Sequence, residues 1–260
     1  MKEVCGITYQ DYGNSKIPII FLHGIGGDSD SFKPQLEKFR GSYRVISLNL
    51  PGYGNSKTLP NLSFEKFADK LVEFMGALEI SKAHFCGQSI GGMIALETAF
   101  RYSKHVASLA LIATTPAFGG KDEGFKKEFI NKRLNPLEAG ITIPELAERF
   151  IPEIVGPVAT QDTKRDAIAS MSKVPVSTYK EIIRCLVTFN RRDNIKDLKQ
   201  PCCIISGEYD TNAPSKTMYK MASLIPNSEY HDVKGAGHLV NIEAGSQTND
   251  ILSNFYWNIK

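Results

Sequence analysis

"HFCGQSIGG", residues 84–92, sets Ser89 midway between Gly87 and Gly91, with one apolar run ending before it and another starting directly after it. Taken alone, G-x-S-x-G is a short pattern that a glycine-rich loop with a capping serine also satisfies. The flanks decide between the two. "AHFCG" (83–87) has the composition of a buried strand, and "IGGMIALETAF" (90–100) that of a nearly all-apolar helix that begins at once. A strand, a sharp turn at a serine and a helix make a nucleophile elbow, in which backbone strain holds the hydroxyl out at the end of a sheet. A side chain at either glycine would collide with neighbouring backbone. The helix start adds unpaired N–H groups and a positive dipole end where negative charge will develop.

A serine hydroxyl is a poor nucleophile at neutral pH and needs a neutral imidazole oriented by a carboxylate. Of the five histidines, His84 lies inside the strand before Ser89 and suits packing, while His105 and His231 sit in polar surroundings that suit the surface. His238 ends "VKGAGH", where glycines after a short strand let a loop carry the imidazole back over the sheet edge. Asp210 ends "IISGEYD", just past an apolar strand at 202–207, and the carboxyl ends of parallel strands are where such sheets bind ligands. The following "DTNAP" also allows a turn or N-cap role for Asp210, and Glu208 is the nearest substitute acid. Ser89, Asp210, His238 is the chain order of the elbow-type hydrolases and differs from those of the chymotrypsin and subtilisin classes. Ester hydrolysis also needs two N–H donors for the oxyanion of its tetrahedral intermediate. The N–H of Ile90 is one candidate, and "FLHGIGG" (21–27) supplies the other as Ile25, leaving His23 to shape the loop. That run lacks the G-K-[ST] ending of a phosphate-binding P-loop and the dinucleotide-binding spacing.

The remaining chain of 260 residues, 42% hydrophobic and 23% charged, describes an ordinary globular protein with a substantial core. Strands are expected at 3–11, 17–22, 43–50, 83–87, 107–113, 202–207 and 229–233. The apolar spacing of 63–78 predicts a helix with Ser63 as N-cap, and "SKTMYKMASLI" has helical character. Strands alternating with helices at this pace imply an α/β fold with a mostly parallel sheet covered on both faces. The rhythm breaks between 117 and 185, where helical patches such as "EGFKKEFINKRL", "PELAERFI" and "TYKEIIRCLVTF" stand without a strand. Residues 1–116 and 186–260 are therefore expected to form the core, and 117–185 a helical cap inserted in it. The C-terminal "VNIEAGSQTNDILSNFYWNI" reads as one packing helix around Trp257. A scattered net charge of +3 gives no case for nucleic acid, and no apolar run is long enough for a membrane span. The N-terminus lacks an apolar signal core, and five cysteines fit neither a disulfide framework nor metal-ligand spacing, which points to a reducing, cytoplasmic setting.

"HGIGG", "LNLPGYGNS", "GQSIGG", "SGEYD" and "GAGH" fall in one order, and over nearly its full length the chain resembles the α/β-hydrolase superfamily. One departure is Asn49, which stands where an aspartate usually begins the loop before "PGYG"; it bears on loop stability more than on chemistry. "NPLEAGIT", "FNRRDNI", "GEYDTNAPSKTM" and "GAGHLVNIE" are similar to the 3-oxoadipate enol-lactonases. That resemblance implies cofactor-free opening of a small, carboxylate-bearing enol-lactone, with no metal. The expected activity is hydrolysis of a small carboxylic ester or lactone through an acyl-enzyme on Ser89. The same residues are compatible with carbon–carbon bond hydrolysis of a diketo acid, or with a ligand receptor that turns nothing over. Serine at the elbow argues against dehalogenase or epoxide hydrolase chemistry, which resembling families run through aspartate. Lys126, Lys127, Lys132 and Arg133 could pair with a substrate carboxylate, though a solvated basic helix face explains them more simply.

Overall fold

Runs of Ile, Val, Leu and Cys build a central sheet in the computed structural model, which describes residues 1–119 and 123–259. Its strands are β1 (Lys2–Val4), β2 (Ile7–Tyr12), β3 (Ile19–Leu22), β4 (Val45–Leu48), β5 (Ala83–Gln88), β6 (Val106–Ile112), β7 (Cys202–Gly207) and β8 (Ser228–Val233). They lie in the order β1-β2-β4-β3-β5-β6-β7-β8. The pairs β1/β2 and β2/β4 are antiparallel and the other five are parallel. Every residue of β3, β4 and β7 is buried, because helices cover both faces. The adjacent Cys202 and Cys203 show this directly: strand alternation sends one into the core on each side of the sheet.

The helices are α1 (Lys33–Phe39), α2 (Phe64–Ala77), α3 (Ile90–Arg101), α4 (Glu123–Glu138), α5 (Ile143–Ile154), α6 (Gln161–Met171), α7 (Val176–Leu186), α8 (Ser215–Leu224), α9 (Val240–Glu243) and α10 (Gly245–Asn258). Ser63 caps α2 by accepting from the Lys66 N–H at 3.3 Å. From β3 the chain returns to the sheet at β4 on one side, whereas β5 continues to β6 on the other. The loops after β3 and β5 thus diverge from neighbouring strands and leave a crevice at their carboxyl ends.

Three sequence expectations need correction. The strand expected at 3–11 is a hairpin, β1 and β2, because Cys5 (φ 50°) and Gly6 (φ 75°) both take the left-handed turn that joins twisted antiparallel strands tightly. The C-terminal helix is broken at Ala244 into α9 and α10, and Leu252, Phe255 and Tyr256 pack it while Trp257 is 71% exposed. Helix α6 has no counterpart in the sequence reading. It is polar over most of its length, burying only Ala167 and Met171, so periodicity does not reveal it, although Thr160 caps it through the Thr163 N–H at 3.1 Å.

Helices α4–α7 all fall between β6 and β7. The chain leaves and re-enters the sheet side by side: the Phe118 N–H donates to the Phe189 carbonyl at 3.0 Å and the Arg191 N–H to the Pro116 carbonyl at 2.7 Å. Arg191 then reaches Glu97 on α3, fixing this neck to the core. No helix among the described residues is long and apolar enough to cross a membrane.

Asn49 is buried and links three segments. Its Oδ1 accepts from the Ser29 N–H at 2.8 Å and its Nδ2 donates to the Thr8 hydroxyl at 2.9 Å. An aspartate could not make the second donation. Asn49→Ala leaves the buried Ser29 N–H unpaired, and a lower urea midpoint with unchanged slope is expected, a loss of about 1–3 kcal/mol.

Candidate active site

Ser89 adopts φ 55°, ψ −121°, a conformation that L-residues avoid, in the turn from β5 to α3. Glycine is required on both sides. A Cβ at Gly87 would come within 2.5 Å of the Gly92 nitrogen, and one at Gly91 within 2.6 Å of the Leu22 carbonyl carbon on β3. The helix therefore lies hard against the strands and holds the serine out at their carboxyl ends.

Asp210 sits in the turn after β7 and His238 in the loop after β8. His238 Nε2 lies 3.0 Å from Ser89 Oγ, and its Nδ1 2.8 Å from Asp210 Oδ2. The other carboxylate oxygen, Oδ1, accepts the Asn212 and Ala213 N–H groups at 2.8 and 2.9 Å. Burial pushes the Asp210 carboxyl up, but His238 and these two N–H groups outweigh it and hold its pKa below the ordinary 3.8. An ionised Asp210 accepting the Nδ1 proton leaves Nε2 free to accept from the serine hydroxyl.

Ile25 belongs to the turn after β3, in which the Gly27 N–H donates to the Gly24 carbonyl at 3.0 Å. Gly24 lies against Gln88 and Ser89, where a Cβ would come within 3.4 Å of the serine Cβ. Among the described residues the N–H groups of Ile25 and Ile90 donate to no protein acceptor; Ile90 is the first residue of α3, where no intrahelical partner exists. His23 anchors this turn. Its Nδ1 is 2.7 Å from the Gly24 carbonyl and its Nε2 accepts the Leu50 N–H at 3.0 Å, a pattern only the neutral ring can make. Burial lowers its pKa to about 4.

The remaining candidates stand elsewhere. Glu208 is exposed and pairs with Lys234 and the Gly235 N–H. His84 packs on Tyr256 and bonds Ser108, His105 meets the Ser81 carbonyl, and His231 bonds Glu229 beside Cys203 at the sheet edge. Of the basic residues on α4, Lys127 and Lys132 are exposed and Lys126 pairs with Glu123. Arg133 departs from the expected solvated face: its Nε is buried and it lines a cavity of about 1000 Å³ that also reaches Ser89, His238 and Ile25.

The description "alpha/beta hydrolase fold" fits the family profile that matches residues 17–245. The chain belongs to this family. The α/β-hydrolase chain is 27% identical to 3-oxoadipate enol-lactonase 1 of Acinetobacter baylyi, over 98% of its own length and 94% of that protein's. It is also 27% identical to the pimeloyl-[acyl-carrier protein] methyl ester esterase of Aliivibrio salmonicida, over 85% and 84%. Among solved structures, the enol-lactonase from Burkholderia xenovorans superposes with a TM-score of 0.86 at 21% identity, covering 96% of both chains. A thermophilic esterase from Thermogutta terrifontis gives 0.82 at 23% identity, covering 97% and 93%.

Two residues of this α/β-hydrolase that position the site escaped the sequence reading. Gln88 Nε2 donates to the His238 carbonyl at 2.8 Å, tying the histidine loop to the elbow strand. Glu243, on α9, accepts the Gly237 and Leu239 N–H groups at 2.8 Å each and the Gly156 N–H at 2.7 Å. Burial raises its pKa despite these three donors. The only trace in sequence is an acid five residues after His238, which an ordinary helix surface also supplies.

Proposed function

We propose that the protein is a cofactor-free serine hydrolase of small carboxylic esters or lactones. The observation carrying this reading is the single imidazole bridging Ser89 and Asp210 at 3.0 and 2.8 Å, with Ser89 and His238 lining the cavity. Ser89 Oγ attacks the carbonyl carbon while His238 Nε2 takes its proton, and Asp210 stabilises the resulting imidazolium. The N–H groups of Ile25 and Ile90 hold the oxyanion. Collapse of the intermediate expels the alkoxide, which takes the proton from His238, and leaves an acyl group on Ser89. Water, deprotonated by His238, then attacks the acyl carbon, and collapse of this second intermediate returns the proton from His238 to Ser89 Oγ and frees the acid. Helices α4–α7 act as a cap over this centre, within the proposed division into a 1–116/186–260 core and a 117–185 insert. The five free cysteines support a reducing, cytoplasmic setting, and the partner is a small molecule rather than nucleic acid or membrane.

The relatives named for lactone and ester hydrolysis support this reading, and one panel tests it. Purified protein is assayed against aryl esters, an enol-lactone and a diketo acid, with acid-quenched samples analysed for an acyl adduct on the Ser89 peptide. Ester or lactone turnover with that adduct is expected. Faster cleavage of the diketo acid would make it a carbon–carbon hydrolase, and tight ligand binding without turnover would make it a receptor.

A further inference from the structure

Strand β8 closes one edge of the sheet, and its side chains alternate between two faces. On one face Asp232 accepts from Ser206 and Ser215 at 2.9 and 2.8 Å and pairs with Lys234 at 3.2 Å, a self-contained network of strong donors. The other face, which turns toward α10, carries Glu229 and His231, both half-buried. Beneath them lies Cys203 of β7, fully buried in the core to which α10 contributes Leu252 and Tyr256. Register brings the three together: Cys203 pairs with Glu229 and Ile205 with His231 across the β7/β8 ladder. Cys203 Sγ, a Glu229 carboxylate oxygen and a His231 ring nitrogen all lie within 4.8 Å of one another. His231 Nε2 is 3.1 Å from Glu229 Oε1, and the Cys203 thiol donates to the same carboxylate. A thiol is a weak donor, and among the described residues no lysine or arginine pairs with Glu229. Its charge is left for another cation to balance.

We propose that Cys203, Glu229 and His231 form a binding site for a zinc-type divalent transition-metal ion, with water in the fourth position. Thiolate sulfur, imidazole nitrogen and carboxylate oxygen are the donors zinc takes, whereas calcium and magnesium take oxygen alone. Tetrahedral bonds of about 2.0 Å to nitrogen and oxygen set those two ligand atoms roughly 3.3 Å apart, close to the Glu229–His231 separation. Binding releases the thiol proton to solvent, so that thiolate and carboxylate together balance the dication while the imidazole stays neutral. Spacing along the chain conceals such a site, because its ligands come from two separate strands. The ion takes no part in the hydrolysis, and its binding does not depend on that reading. Cys203 and Glu229 are second in their strands, at the amino end of the sheet, while Asp210 and His238 lie beyond the carboxyl ends of the same two strands. The ion staples β8 to β7, the strands whose loops deliver the base and the acid.

Titration of the chelator-stripped protein with cobalt(II) and then zinc(II) tests it. Cobalt should bind as one ion per chain, with a thiolate-to-cobalt charge-transfer band in the near ultraviolet and the visible bands of a tetrahedral ion, and zinc should bleach both by displacement. Zinc at about a hundredfold excess over its Kd should raise the thermal midpoint by about 5 °C. His231→Gln and Glu229→Gln change half-buried side chains, so the fold should hold, as metal-free melts will verify. Each should weaken zinc binding by about tenfold or more, since losing a ligand costs at least as much as losing a partner behind one. Cys203→Ala should abolish the charge-transfer band. Cys202→Ala, on the opposite face of the sheet, and Cys5→Ser, in the exposed hairpin turn, should keep it. Absence of the band in the wild type overturns the site, as does a band that survives Cys203→Ala. If Cys203→Ala does not fold, His231→Gln and Glu229→Gln decide: zinc affinity unchanged in both refutes the site.

Discussion

Ser89→Ala is expected to lower kcat/KM for an aryl ester by about 10⁶-fold, equivalent to about 8 kcal/mol of transition-state stabilisation. No nearby group can substitute, because the elbow conformation presents a single side chain to His238 and the flanking glycines carry none. The cavity, the idle N–H groups of Ile25 and Ile90 and the imidazole all survive the change, so the variant should still bind ligand. Fluorophosphonate labelling provides a second readout. It should vanish in Ser89→Ala and persist when an exposed serine, Ser223, is replaced. Undiminished labelling of Ser89→Ala would sink the whole hydrolase account.

The second large effect is expected from Asp210→Asn, through hydrogen-bond polarity more than through charge. The Asn212 and Ala213 N–H groups both point at Oδ1 and demand an acceptor there. An asparagine must place its carbonyl oxygen at that position and turn its NH₂ toward His238. The imidazole then accepts at Nδ1 and carries its proton on Nε2, facing the serine with a donor where a base is needed. A fall in kcat of about 10⁴-fold is expected, with KM little changed. Stability should respond as well. Because folding holds the Asp210 pKa below its ordinary 3.8, the stabilisation from its charge is complete above that value and drains away as pH falls through the lower folded-state value. Urea melts between pH 5 and the acid limit should therefore show a shallower pH dependence in Asp210→Asn. An equally steep slope would mean that another carboxylate carries it.

Both predictions concern residues that were legible before any coordinates, and the reason is local. Ser89 and Asp210 each follow a short apolar strand and His238 a short polar one, each is announced by glycine, and their order along the chain is that of the fold. The supporting groups are not local. Gln88 and Glu243 act on the histidine loop through contacts that neither strand alternation nor helix periodicity encodes. Arg133 illustrates a related limit. Helix α4 buries only Leu134, so no apolar stripe tells which of its basic side chains turns inward. The same lack of amphipathic contrast hid α6. Trp257 misled for the opposite reason: size suggests burial, whereas α10 is seated by Leu252, Phe255 and Tyr256.

The end of α5 meets the histidine loop backbone to backbone. The His238 N–H donates to the Ile154 carbonyl at 2.7 Å, and Glu243 grips Gly156 and Gly237 with one oxygen. A Cβ on Gly156 would lie within 2.7 Å of the Gly237 nitrogen, so the two loops interlock with no room for side chains. This corner is a rigid coupling: any displacement of the end of α5 at Gly156 would carry the His238 loop, and with it the imidazole, away from Ser89.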